Sequence, residues 1–172
     1  MIRVIELVLA LTIFPVVFFL MLMGIIMIAV FDPGPFFFKS ERLGKKQKKF
    51  TIVKLRTMSS NAPLMPSCNK DASSYVTKLG QFLRFTSLDE LPQIFNILSG
   101  TMTFIGPRPC LASEFNLIGL RENERIFSMK PGVTGLAQVR GRDKNTDRNK
   151  VRYEVFYMKK KSFLFDFKII IM

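Results

Sequence analysis

From Leu7 to Phe31 the chain carries no charged residue. As a helix rising about 1.5 Å per residue, that run measures roughly 37 Å, enough to cross a bilayer core of about 30 Å. Secretory signal peptides have shorter apolar regions and a small-residue cleavage site, and neither feature is evident, so the segment reads as retained. Pro15, near the middle of the run, removes a helical hydrogen bond and predicts a kink. Asp32-Pro33-Gly34-Pro35 ends the helix, and the residues up to Met58 read as short strands and turns. Phe36-Phe37-Phe38 is one expected strand and Phe50 to Leu55 another, with Gly44 in the turn between them. Residues 59 to 75 are polar, hold two prolines and read as a mobile loop.

Beyond that loop the apolar positions Leu79, Phe82, Leu83, Leu88, Leu91, Ile94, Phe95 and Leu98 recur at three and four. This is helical spacing, with a break around Thr86 and Ser87. Gly106-Pro107-Arg108-Pro109 must be an extended turn, because two prolines block a helix there. A helix is expected from about Leu111 to Phe127. A loop should follow from Lys130-Pro131-Gly132 through Gly135 to Gly141, and a basic helix over residues 147 to 161. The end, Phe163 to Met172, is too apolar for a free tail in water and reads as a segment lying on a bilayer surface.

Composition sharpens this picture. Among 172 residues there are 18 Phe and 10 Met, 48% of the chain is apolar, and the net charge is +13. Apolar surface for lipid and basic surface for anions is the simplest way to reconcile the two. The flank after the apolar run holds Lys39, Arg42, Lys45, Lys46, Lys48, Lys49, Lys54 and Arg56 against one acid, Glu41. By the positive-inside rule that flank is cytoplasmic. Only Arg3 and Glu6 lie ahead of the run, so a spanning helix and a helix that bends at Pro15 and returns both satisfy these residues. Histidine is absent, which excludes a Ser-His-Asp triad, a His-based zinc site and a His general base. Cys68 and Cys110 are far apart and outside any metal-type spacing, which suits a reducing compartment.

The chemistry must therefore rest on Asp, Glu, Ser, Thr, Lys or Arg, with or without an oxygen-ligated metal. Ser87-Leu88-Asp89-Glu90-Leu91-Pro92 is the most informative stretch. Its structural reading is a capping box, Ser87 as N-cap and Glu90 reaching back to it, with Asp89 complementing the helix dipole. Its functional reading uses the same geometry. A carboxylate in the first helical turn sits where backbone N–H groups can receive a phosphate, and Asp is an established covalent nucleophile toward phosphorus. Lys54, Arg56, Arg84, Arg108, Arg140 and Arg142 supply cations from separate segments, and arginine's planar fork suits phosphate oxygens. Each of these also reads as an ordinary solvated charge or lipid headgroup contact. Gly106, Gly135 and Gly141 allow close backbone approach or serve as turn glycines.

Taken together, these segments resemble the bacterial sugar transferase family, the monotopic polyprenyl-phosphate phosphoglycosyl transferases. The likeness runs nearly end to end: the apolar segment with its mid-helix proline, then Gly34 to Gly44, Lys54 to Met58, Arg84 to Gln93, Phe104 to Pro109 and Lys130 to Arg142. The resemblance implies an α/β fold, mostly helical with short strands. A re-entrant membrane helix broken at Pro15 (residues 1–32) would be fused to a cytosolic catalytic domain (residues 33–172) bearing amphipathic membrane-surface helices. It implies transfer of a sugar 1-phosphate from a UDP-sugar to polyprenyl (undecaprenyl) phosphate, with release of UMP. Carried over residue by residue, Asp89 is the nucleophile and a Mg²⁺ contact, and Glu90 assists proton handling or positioning. Arg108, between Pro107 and Pro109, helps hold the nucleotide sugar, and Lys54, Arg56, Arg84, Gln138 and Arg142 join the substrate site. The implied place is the cytoplasmic face of a bacterial inner membrane. The implied partners are the UDP-sugar, the polyprenyl phosphate, membrane lipids and glycosyltransferases of the same pathway, and not nucleic acid. The donor would carry an N-acetylated amino or diamino sugar, or a hexose.

Four positions depart from the family's pattern. Phe14 stands where a small residue precedes the proline, Thr101 where an acid is usual, Leu136 where Trp is usual and Arg140 where a small polar residue is usual. None touches Asp89, Glu90 or Arg108. Two rivals remain: a non-catalytic basic membrane protein, whose basic residues lack the interleaved stacking aromatics of a nucleic-acid module, and a degenerate family member acting as a partner in glycan assembly.

Overall fold

The computed structural model describes residues 2–59, 61–62, 74–141 and 145–172. Most of the expected loop at 59–75 therefore lies outside the described residues. The elements are α1 (Ile2–Phe31), β1 (Phe37–Leu43), β2 (Lys49–Leu55), α2 (Lys78–Phe85), a 3₁₀ segment (Leu88–Gln93), α3 (Ile94–Ser99) and β3 (Thr103–Ile105). These are followed by α4 (Phe115–Asn123), β4 (Gly132–Thr134), α5 (Leu136–Val139), α6 (Asp147–Lys160) and α7 (Phe163–Ile171). The mixed, mainly helical class matches the expectation, as does the break at Thr86 and Ser87. Contacts divide the chain into two compact units, Met1–Ser40 with Ile52–Leu98, and Glu41–Thr51 with Ser99–Met172.

In the first unit α1 runs as one helix through Pro15, without the break expected there, and it is long and apolar enough to cross a membrane. It is not a core helix. Val8, Leu11, Val16, Phe19 and Val30 are each more than half exposed. One stripe is buried: Met21 and Ile28, seven residues apart, pack with Leu55 of β2, Leu83 of α2, and the flanking Ile25, Leu79 and Leu88. Gly24 lies on that stripe, where a Cβ would come 2.6 Å from Leu55 Cδ1, so the missing side chain lets α1 and β2 close up. Each fully buried aliphatic side chain here is worth about 1.5–3 kcal/mol. Thr77 caps α2, its Oγ1 accepting from Gly80 N at 2.9 Å.

The second unit holds a structure its sequence pattern hides. β3 and β4 pair in parallel, Thr103 opposite Gly132 and Ile105 opposite Thr134. The expected loop from Lys130 to Gly141 thus contains a strand and the short helix α5. Three-residue strands are too brief to show periodicity, and β4 is defined only by its distant partner. Gly106 N donates to Thr134 O and Gly132 N to Pro107 O, each at 2.9 Å. A Cβ on Gly106 would lie 2.6 Å from Lys130 O, and one on Gly132 would collide with Gly106 N. These glycines are close-approach positions rather than ordinary turn residues.

Helices α4 and α6 are joined by a buried fork. Arg121 Nε donates to Glu154 Oε2 at 2.9 Å and Nη2 to Oε1 at 2.5 Å. Burial pushes the Glu154 carboxyl above its usual range, and Arg121 offsets this only in part. Burial opposes the Arg121 charge too, but Glu154 and Cys110 together outweigh it and hold the guanidinium above its ordinary value. Cys110, also buried, has its thiol raised by burial. Tyr157 in α6 donates to Asp166 Oδ1 at 2.7 Å and so seats α7, while Phe163, Leu164 and Ile171 of α7 stay largely exposed.

Candidate active site

The Asp89–Glu90 pair is positioned by an unusual turn. α2 stops at Thr86, and Ser87 adopts a left-handed conformation (φ 58°, ψ 18°). An N-cap residue needs extended backbone to aim its hydroxyl at the following N–H groups, and Ser87 forms no side-chain cap. The expected capping box is therefore absent. Ser87 instead accepts Glu90 N at its carbonyl, 3.2 Å away. A left-handed non-glycine residue costs about 1–2 kcal/mol. It starts a 3₁₀ turn in which Asp89 is buried and Glu90 half-buried.

The partner of the pair comes from β2. Leu55 turns into the core, so its neighbour Lys54 projects the other way. Lys54 Nζ lies 2.5 Å from Glu90 Oε1 and 3.7 Å from Asp89 Oδ2. Among the described residues no three Asp, Glu, His or Cys side chains group to cage a metal. A pair of carboxylates nonetheless fits Mg²⁺, which typically takes one or two and completes its shell with water and substrate phosphate oxygens.

The remaining candidates divide between the two units. In the first, Arg84 Nε donates to Thr57 Oγ1 at 2.9 Å, and Thr57 is itself buried. Arg56 is buried and faces inward. Its Nη2 donates to the Asp32 carbonyl and lies 3.3 Å from Asp32 Oδ1, while a Cβ on Gly34 would collide with the guanidinium. Arg56 thus ties β2 to the end of α1. In the second unit Pro107 and Pro109 are buried and hold Arg108 exposed between them. Gln138 Nε2 donates to Val133 O at 2.9 Å, which braces the α5 turn. Arg142 lies outside the described residues. Thr57 and Asp32 were hidden in the sequence, Thr57 inside the Lys54–Met58 segment with no role of its own, and Asp32 as a helix breaker.

Comparison with known proteins identifies the family. The family model for the bacterial sugar transferases matches residues 1–172. EpsL of Bacillus subtilis, an uncharacterized sugar transferase, is 38% identical over 141 residues, covering 80% of this chain and 67% of EpsL. The galactosyl transferase CpsE of Streptococcus agalactiae is 35% identical over 156 residues, 82% of this chain and 34% of CpsE. A UDP-glucose:undecaprenyl-phosphate glucose-1-phosphate transferase of Xanthomonas campestris is 34% identical over 152 residues, 82% of this chain and 31% of that enzyme. The chain belongs to the bacterial sugar transferase family. It spans two thirds of EpsL but only about a third of the other two.

Proposed function

We propose that this chain is a phosphoglycosyl transferase that moves a sugar 1-phosphate from a UDP-sugar to undecaprenyl phosphate, with Asp89 as nucleophile. The observation that carries the reading is the enclosed Lys54–Asp89–Glu90 cluster, set in a chain of this family. An Asp89 carboxylate oxygen attacks the β-phosphorus of the donor. The bond from that phosphorus to the oxygen bridging it to the α-phosphate breaks, and UMP leaves with the electron pair. The phosphosugar is then esterified to Asp89. A phosphate oxygen of the lipid attacks the same phosphorus, Asp89 leaves as carboxylate, and the product is a polyprenyl-diphosphate sugar. Each half-reaction brings anions together, so charge shielding and alignment are the main demands on the protein. Asp89 and Glu90 would hold Mg²⁺, which supplies shielding of the diphosphate. Glu90 orients the reacting groups, and the family's pattern supports Arg108 as a holder of nucleotide phosphate.

The lipid acceptor places the reaction at a membrane surface, and the contacts of α1 favour a re-entrant course on the cytoplasmic side. Arg3 Nη2, at one end, donates to Leu98 O at 3.0 Å. Phe14, beside Pro15, meets the Phe95 ring edge-on with centroids 5.8 Å apart. Asp32, past the other end, pairs with Arg56. These contacts along its length hold α1 against the unit it belongs to, which suits a helix that stays beside that unit and does not cross the bilayer. The exposed apolar side chains of α7, bordered by Lys159, Lys160, Lys161 and Lys168, suit shallow insertion beside anionic headgroups.

The test is release of UMP from a panel of UDP-sugars by the purified protein in lipid, with Mg²⁺ and undecaprenyl phosphate, beside Asp89→Asn. Release that needs the lipid for turnover and vanishes in the variant supports the proposal. No release across the panel from folded protein would favour a non-catalytic partner role.

A further inference from the structure

Lys54 looks from the sequence like a cation for substrate phosphate, but its geometry is that of a group already engaged. Its ammonium touches Glu90 and lies near Asp89, with only 17% of its side chain exposed, against 19% for Glu90 and 9% for Asp89. Swinging that charge away would break its contact with a half-buried carboxylate, which costs more than an exposed ion pair returns. The root of the side chain is fixed as well. Leu55, the next residue, is 1% exposed and locked among Met21, Ile28 and Leu83, so β2 cannot slide to carry Lys54 elsewhere.

An ammonium in this place has a consequence for any cation the pair would hold. A divalent ion binding to Asp89 and Glu90 meets a positive charge within a few ångströms, and the repulsion lowers its affinity. Oxygens from a diphosphate would add ligands and negative charge and so restore it. We infer that Lys54 is a positioning residue that holds the Glu90 carboxylate and weakens the pair's grip on a divalent cation, so that the cation is held firmly only together with a diphosphate. The identity of that diphosphate rests on the phosphoglycosyl transferase reading, whereas the effect of Lys54 on the carboxylate pair does not.

The experiment is a titration of Mn²⁺ into the full chain in lipid nanodiscs without nucleotide, with free Mn²⁺ read by electron paramagnetic resonance. Lys54→Met and Lys54→Gln should bind Mn²⁺ at least about thirtyfold more tightly than wild type, the bulk-water limit for removing one unit charge about 4 Å from a divalent ion. Lys54→Arg should stay close to wild type, and circular dichroism identifies which neutral variant is folded. In turnover with Mg²⁺, the folded neutral variant should lower kcat and leave the donor KM nearly unchanged. Unchanged Mn²⁺ affinity, no Mn²⁺ binding by any form, or a raised donor KM with kcat retained would overturn the inference. Tighter Mn²⁺ binding in a protein whose wild type releases no UMP would leave the inference standing and remove the transferase reading.

Discussion

Lys54 in β2 and Arg56 just beyond it show how little the type of a basic residue says about its role. Lys54 and Arg56 are two positions apart in one segment, yet one faces the carboxylate pair and the other is buried against Asp32. Arg56 has the chemistry of a phosphate ligand, but its guanidinium is enclosed beneath Gly34. Replacing it by Ala should therefore act on stability first. Loss of the tie leaves Asp32 without its partner, and about 1–3 kcal/mol should disappear, read as a lower midpoint in chemical denaturation. Nothing in the spacing of Lys54-Leu55-Arg56 shows this, because burial of an arginine is set by what the rest of the chain places over it. The Asp89–Glu90 pair, in contrast, stood out only through the family motifs around it, since adjacent acids at a helical break are weak evidence by themselves. The left-handed Ser87 was not legible, because Ser at the start of a helical segment ordinarily signals a cap.

At the scale of elements, long periodic segments could be read and short ones could not. α1, the break after α2, and the basic helix α6 follow from apolar runs and three-four spacing. β3 and β4 are three residues each and exist only through their mutual pairing. Their close approach depends on glycine at 106 and 132. Gly132→Ala should force the two strands apart, since its Cβ would overlap the Gly106 backbone. The expected cost is about 2–4 kcal/mol, a marked drop in melting temperature that a surface control such as Gly119→Ala, with nothing near its Cβ, should not share.

For the whole molecule the question is how a chain this apolar and this basic meets a membrane. Arg3, Phe14 and Asp32 tie α1 to one compact unit along its length, and the proposal that both its ends stay on one side is open to direct test. In a background lacking Cys68 and Cys110, Val4→Cys and Lys161→Cys should react with an impermeant maleimide from the same face of oriented vesicles. Labelling from opposite faces would make α1 a spanning helix. Topology also bears on the proposed chemistry, which needs the Asp89 carboxylate at the headgroup level, within reach of a lipid phosphate.

The most direct measurement of the central claim is the intact mass of the protein after brief exposure to a turned-over UDP-sugar with Mg²⁺ and no lipid acceptor, quenched in acid. The account predicts an added mass of one phosphosugar on the wild type, lost on adding undecaprenyl phosphate, located to the peptide containing Asp89 and absent in Asp89→Asn. A protein that releases UMP only when donor and lipid are both present, and never carries the phosphosugar, would contradict the nucleophilic role of Asp89.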